Sequence, residues 1–466
     1  MDPNMTPENR PVVRRRRKRS KLQTFKEAYL PAVLAAGVIV LIIVFISSSI
    51  GNSNKKKQDA LDASIAASIA QQEAYEALVK EADALIKEAA PLAADYDYDG
   101  AMAVLDRFTG NRQEFAALNS QYEAYARAKG NMVAWTDPSQ VPNLSFQLLI
   151  ADPDRAFSDA TYKTSFDKNF ITTEEFSKIL TALYENGYIL VSMDDIVEET
   201  ATGYIPKTLY LPAGKKPLLL TQTNVNYSLY LVDSDNDLTP DKGGRGFACR
   251  LVLDQNGNVT CEMVDANGNL VTGAFDLVPI LDDFVKLHPD FSYRGAKATL
   301  ALTGYNGLFG YRTHKAAKDK LGETAYAKEV AGAKAVANAL TASGYTLACY
   351  TYENINYNSA TLTRIEKDIN SWQTEVVPIL GQIDTLVFAQ NNDIVPAADL
   401  YTGEKAWFLQ QQGFRRFLGF CTDGATWATL REDYMRMGRL LVTGNNIRNN
   451  GAWFEDLFDC RNLLNR

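Results

Sequence analysis

The feature that most constrains this chain is a recurring unit: a helix-forming stretch, then a glycine, then a short apolar run. Phe176, Ile179, Leu180 and Leu183 fall on one face of a helix that Gly187 ends, and an apolar segment follows from Tyr188 to Val191. A helix from about Thr324 stops at Ser343 and Gly344 ahead of residues 345–350, and another over residues 404–412 stops at Gly413 ahead of residues 414–420. Helical periodicity that gives way to short runs apolar at every position is the pattern of strands buried on both faces, a parallel sheet covered by helices, open or closed as a barrel. Further strand candidates lie at residues 144–150, 217–221, 299–303 and 384–388. Thr172 followed by Glu175 is a capping-box signature for the first of these helices.

Two regions depart from this cadence. Residues 227–273 carry Asn-Gly pairs at Asn256-Gly257 and Asn267-Gly268 between short alternating segments, which reads as a β-hairpin insertion. Asp233, Asp235 and Asp237 within it resemble the opening of a calcium loop but lack the following Gly and the distal Glu, and a solvated turn is the plainer reading. Residues 51–135 are rich in Ala, Glu, Gln and Lys, with breaks expected near Pro91 and at residues 95–100, and read as a helical stalk. Tyr75, Leu78, Ala82, Leu85 and Ala89 recur at helical spacing and form a stripe that can pack on a partner helix. Asp95, Asp97 and Asp99 ahead of Gly100, with Asp106 at the twelfth position, fit either a calcium loop or the turn that starts a second helix.

The charge is distributed unevenly. Residues 1–27 hold nine Lys/Arg against three Asp/Glu, a local +6, so the chain's net −8 leaves −14 on the rest. The basic run from Arg14 to Arg19 precedes residues 28–46, which carry no charge. At about 1.5 Å per residue, nineteen apolar residues cover roughly the hydrocarbon core of a bilayer, and flanking Lys/Arg keep their side in the cytoplasm. The expected organisation is a basic cytoplasmic tail (1–27), a transmembrane helix (28–50), the stalk (51–135) and an extracytoplasmic α/β domain (142–466). A cleaved signal peptide fits less well, because the apolar stretch is long and residues 47–51 make a poor cleavage site. An acidic body argues against nucleic acid as a partner.

Five scattered cysteines make no disulfide scaffold, although Cys249 and Cys261 flank a hairpin turn and can become neighbours. Only two histidines, His288 and His314, occur in the chain, and both read as capping or surface residues. A histidine-rich metal site therefore cannot be assembled.

The apolar strand at Pro217–Thr221 runs on into Gln222, Thr223, Asn224, Val225, Asn226 and Tyr227. This segment resembles the strand of the polysaccharide deacetylases (the NodB-homology family of carbohydrate esterases) that ordinarily ends in Thr-Phe-Asp-Asp-Gly. Residues 146–195, with Ile171 to Phe176 and Asn186-Gly187-Tyr188, resemble the family's opening strand and helix. Residues 344–354 resemble its histidine-motif segment, and residues 372–381 the helix after it. The resemblance spans about residues 142–445, interrupted by the insertion, and implies a (β/α) barrel-like NodB-type domain. It also implies that the base position is Thr223, the metal aspartate position Asn224 and the two histidine positions Tyr350 and Asn354. None of the four suits its role, since a catalytic metal needs about three imidazole, carboxylate or thiolate ligands and a base needs a pKa near the working pH. Gln147 stands where some relatives place a histidine, and Phe388-Ala389-Gln390-Asn391 replaces a Pro-Tyr/Phe-Gly turn.

A degenerate member of the family is thus expected, with no cofactor and no metal. The cleft lining of Gln222, Thr223, Asn224, Tyr350, Tyr352 and Asn354 suits sugar hydroxyls, and equally a satisfied polar core. The partner so implied is a cell-envelope glycan or an envelope protein, with the membrane engaged through the N-terminal helix. An active metal-dependent de-N-acetylase remains the competing expectation, and a site rebuilt from Asp384, Asp393 or Asp423 is its residue-level form.

Overall fold

A computed structural model of the chain describes residues 54–235, 237–464 and 466. Eight strands alternate with helices: β1 Asn143–Phe146, α1 Thr173–Glu185, β2 Tyr188–Leu190, β3 Lys216–Thr223, α2 Leu277–Leu287, β4 Ala298–Leu302, α3 Glu323–Ala342, β5 Thr346–Cys349, α4 Leu362–Ser371, β6 Thr385–Val387, α5 Glu404–Gln411, β7 Arg416–Phe420 and β8 Met435–Leu441. Seven of the strands close into a ring of parallel pairings in the order β3, β4, β5, β6, β7, β8, β1 and back to β3. β2 pairs with the first residues of β3, and its Leu190 also bridges Ser292 just ahead of β4, so it wedges into the ring at the strands' N-terminal end.

Closure divides the apolar residues into two layers, because successive side chains of a strand point to opposite faces. Leu218, Leu220, Leu300, Leu302, Leu386, Phe417 and Leu440 face outward and pack beneath the helices with Phe176, Ile179, Leu180 and Leu183 of α1. Leu219, Ala301, Ala348, Val387, Leu418, Met435 and Met437 face inward. The lower end of the barrel is sealed by the β2–β3 connection, where a small hairpin, Val197–Thr200 with Gly203–Pro206, brings Met193, Ile196 and Tyr204 into the inner layer. α1 begins with the capping box the sequence implies: the Glu175 amide donates to Thr172 Oγ1 at 3.1 Å and the Thr172 amide to Glu175 Oε2 at 2.7 Å.

The insertion holds three antiparallel strands, Arg250–Leu253, Val259–Val264 and Leu270–Gly273, so it is a meander, where the sequence suggested one hairpin. Each Asn-Gly turn follows an aspartate whose carboxylate accepts two backbone amides at 2.8 Å, Asp254 from Asn256 and Asn258, and Asp265 from Asn267 and Asn269. Two such turns require a third strand. All five cysteines are free thiols, and Cys261 lies opposite Leu251, not Cys249.

The stalk region begins as one helix, Asn54–Ala94, which continues through Pro91. A proline so near the end removes one hydrogen bond from the last turn, and burial of Ala82, Leu85 and Ala89 offsets it. The chain turns instead at residues 95–97, where Asp97 caps the next helix, Tyr98–Leu105, by accepting the Gly100 amide at 3.2 Å, so the helix-start reading of this segment holds. Residues 82–466 form one compact unit, which therefore starts well before residue 142. Tyr96 stacks on Tyr293 and its hydroxyl donates to the Asp290 carbonyl at 2.5 Å. Residues 54–81 belong to a separate unit and are largely exposed. Among the described residues no helix is long and apolar enough to cross a membrane; the basic tail and the span expected at residues 28–50 lie outside them.

Asp276, ahead of α2, joins the meander to the barrel. Its fully buried carboxylate accepts from the Tyr227 hydroxyl at 2.6 Å, Gln222 Nε2 at 2.7 Å and the Leu149 amide at 3.0 Å, and burial raises its pKa. Asp276→Ala leaves three buried donors unpaired and is expected to lower unfolding stability by about 3 kcal/mol. Urea denaturation of the variant beside the parent chain checks this.

Candidate functional site at the barrel mouth

The C-terminal ends of the parallel strands open on one side of the ring, where the geometry of such folds gathers reactive groups. Thr223 ends β3 facing inward and is fully buried, its hydroxyl donating to the Phe146 carbonyl at 3.2 Å. Asn224 follows in the left-handed region at φ 62°, which swings its amide to Gln147, Nδ2 to Oε1 3.3 Å. Tyr350 extends the β4–β5 pairing through its amide, 2.7 Å from the Leu302 carbonyl. Burial pushes the Tyr350 phenol above its ordinary pKa, against the opposing pull of Arg439, the Gln390 amide and the Thr223 hydroxyl. Asn354, at φ 54°, accepts Gln390 Nε2 on its backbone carbonyl at 2.8 Å, and its own Oδ1 is buried without a hydrogen-bond partner.

Four of the six residues singled out from the sequence, Thr223, Asn224, Tyr350 and Asn354, thus lie around the mouth. Gln222 and Tyr352 do not. Alternation turns Gln222 out of the barrel to Asp276, and Tyr352 reaches under the helices, its hydroxyl donating to Glu375 at 2.7 Å. The mouth also contains residues whose role the sequence did not reveal. Gln390 bridges to the Asn354 loop, and Thr303, in the inward register of Thr299 and Ala301, has a buried hydroxyl with no partner. Arg439 lies inside the barrel with no exposed surface. Its Nε donates to the Gly419 carbonyl at 3.2 Å, Nη1 to Ser145 Oγ at 2.7 Å and Nη2 to the Phe388 carbonyl at 3.0 Å. Burial lowers its pKa to about 10, so it is charged at neutral pH. The available signal was two arginines in an otherwise apolar run, Met435–Leu441, because arginine is almost never fully buried unless its donors are satisfied.

The three aspartates of a rebuilt site do not meet here. Asp384 precedes β6 and so sits at the opposite end, its carboxylate 3.3 Å from Arg416 Nε. Asp393 pairs with the buried Arg436 at 2.8 Å and accepts the Tyr401 hydroxyl at 2.6 Å. Asp423 caps its own turn by accepting the Ala425 amide at 3.1 Å.

The donor set at the mouth does not fit a divalent cation. Asn224 and Asn354 offer neutral amides, the Tyr350 phenol is held protonated by burial, and a guanidinium lies beneath them. Among the described residues, the one group of three acids placed to share an ion is Asp233, Asp235 and Asp237 in the insertion. There, Asp233 Oδ1 accepts the Asp235 amide at 3.1 Å and Oδ2 the Leu238 amide at 2.9 Å, while Asp237 accepts the Thr239 amide at 2.7 Å, as in a self-capped turn.

No family model matches the sequence, and no curated protein is similar to it. Solved structures are similar at low identity. The Streptococcus pyogenes deacetylase PplD in complex with acetate is 11% identical with a TM-score of 0.34, over 66% of this chain and 93% of that one. The Bacillus anthracis protein BA0330, assigned to the polysaccharide deacetylases, is 10% identical with a TM-score of 0.34, over 65% of each chain.

Neither histidine reaches the mouth group through a hydrogen bond. His288 caps α2 against the rings of Tyr184 and Phe284. His314 is buried, and burial with the Arg312 and Lys320 charges lowers its pKa to about 4. Because the unfolded chain binds this proton near the ordinary value of about 6.5 and the folded chain does not, the stability His314 contributes is lost as pH falls from 6.5 towards 4. Between pH 7 and pH 5 the parent chain is expected to lose about 2 kcal/mol more than His314→Gln, as measured by denaturant unfolding at both pH values.

Proposed function

We propose that this chain is a membrane-anchored, extracytoplasmic protein of polysaccharide-deacetylase type that binds cell-envelope glycan without hydrolysing it. The observation that carries this reading is chemical. The four positions at which the resemblance implies a base and metal ligands converge on the barrel mouth, and each bears a neutral hydroxyl or amide. Hydrolysis of an acetamide needs a group that takes a proton from water and a group that stabilises the developing oxyanion. Thr223 cannot take that proton near neutrality, and the neighbouring carboxylates Asp276 and Asp368 are committed to loop anchoring. Asp368 accepts the Tyr352 amide at 2.7 Å, the Glu353 amide at 2.8 Å and the Tyr357 hydroxyl at 2.6 Å.

The same residue types are well suited to sugars. Amides and hydroxyls both donate and accept, as sugar hydroxyls do, and Asn224, Asn354, Gln147 and Gln390 place amides around the rim, each at least partly exposed. The anchoring half of the proposal rests on residues 1–50, where a basic run precedes an uncharged apolar stretch.

The full chain in detergent, titrated calorimetrically with chitooligosaccharide and peptidoglycan fragments, is expected to bind one of them. Asn354→Ala should weaken that binding about fivefold, the effect of one lost neutral hydrogen bond. Incubation with the same glycans and zinc, cobalt or manganese is expected to release no acetate. Acetate release abolished by a chelator would overturn the reading in favour of an active deacetylase. Absence of glycan binding, together with retention of an envelope protein after crosslinking, would replace it with a scaffold role.

A further inference from the structure

Residues 54–81 carry the first part of the long stalk helix and belong to a unit separate from the barrel. The stripe that the sequence offers to a partner helix is largely taken up by the chain itself, because Ala82, Leu85 and Ala89 are buried within the compact unit. A second series runs along residues 58–79 in steps that alternate three and four, the spacing of a coiled-coil seam. Its a positions are Gln58, Ile65, Gln72 and Val79, and its d positions Leu61, Ser68 and Tyr75. Every charged residue of the segment falls outside these positions. Leu61, Ile65 and Val79 keep partial exposure, while Tyr75 and the flanking Ile69 are 42% and 54% exposed. The seam stops at Val79, since Ala82, the next position in the series, is buried in the compact unit. A helix draws most of its stability from burying its apolar side, and this side faces water.

The residue types along the seam specify what covers it. β-branched Ile65 and Val79 at a, with Leu61 at d, favour two parallel strands. In a parallel pair in register each a residue meets its own copy, so Gln58 and Gln72 each face a glutamine. Each already donates to the acid four residues on, Gln58 to Asp62 at 3.1 Å and Gln72 to Glu76 at 2.8 Å. An amide has a second N–H and a carbonyl oxygen left for its counterpart, and a polar residue at a so paired fixes the register. An antiparallel pair sets a opposite d, which would press the same glutamines against Tyr75 and Leu61. Charge agrees with the parallel pairing: Lys57 at g meets Asp62 at e of the second copy, opposite in sign.

We propose that residues 58–79 pair with the same segment of a second copy of this chain as a parallel, two-stranded coiled coil, so that the working assembly carries two barrel mouths. The pairing is independent of glycan binding, and either assignment can fail without the other. The full chain in detergent tests it, with Gln72→Cys on the seam or Ala70→Cys on the opposite face, each combined with Cys460→Ser because the other four thiols are buried. On mild oxidation Gln72→Cys is expected to give about tenfold or more disulfide-linked dimer than Ala70→Cys. Linkage of residue 72 to itself requires the parallel register, since the antiparallel arrangement places it against residue 61. Light scattering corrected for bound detergent is expected to give two copies for the parent chain and one for Ile65→Lys, which sets two like charges against each other in the seam. Residue 65 lies outside the compact unit, so that variant should keep the parent's urea midpoint for the barrel. Equal linkage at residues 70 and 72, a single copy of the parent chain, or an assembly of three or more would overturn the proposal.

Discussion

A closed ring of seven strands encloses a fixed volume, and in this chain its upper part is organised by one buried cation. Arg439 enters the barrel from β8 and donates to β7 through the Gly419 carbonyl, to β1 through Ser145 and to the residue just past β6 through the Phe388 carbonyl. Below it the interior is apolar, with Met435, Met437, Leu219 and Leu418, and above it lie Thr223 and Tyr350. A charge buried without a carboxylate is tolerable only when dipoles satisfy its donors, and three oxygens from three neighbouring strands do so here. The same charge sets the electrostatics of the mouth. It opposes a second cation and draws on the Tyr350 phenol, so the barrel's own filling and the lack of metal-type ligands above it point to the same neutral rim.

Two buried carboxylates outside the barrel are turned the other way. Asp276 and Asp368 lie among the helices, and each ties together elements that would otherwise splay: Asp276 joins β3, the segment after β1 and the residues leading into the insertion, while Asp368 holds residues 352–357. Burial raises the pKa of both, and hydrogen bonds pull against that rise. They hold loops in place around the mouth and do not face into it.

Much of the fold was legible because it rests on local rules. The capping box at Thr172, the glycines at 187, 344 and 413, and the apolar runs behind them specify β2, β5, β7 and the helices that precede them without reference to distant residues. β8 was not legible. In Met435–Leu441 the arginines suggest a solvated segment, and only the closed ring, which brings Ser145, Gly419 and Phe388 to one point, makes Arg439 an interior residue. Pro91 misled for a related reason, since tertiary burial of Ala82, Leu85 and Ala89 outweighed a local breaker. Within the site, the strand end at Thr223 was identifiable, but which of Gln222 and Thr223 faces inward depends on strand phase. A run apolar on every residue carries no phase. Tyr352 was misassigned to the rim because the left-handed turn at Thr351 redirects the chain, and threonine gives little warning of that conformation.

Those left-handed turns leave a mark that other sequences can display. Asn224, Thr351, Asn354, Gln390 and Asn391 all have φ between 54° and 62°, a region that glycine enters freely and that a β-branched residue such as Thr351 enters at a cost of order 1–3 kcal/mol. Random drift at such positions runs downhill towards glycine. In a lineage indifferent to the rim, these five sites should erode into bare backbone while the barrel beneath persists. In one that depends on what the rim touches, the amides should outlast their strain.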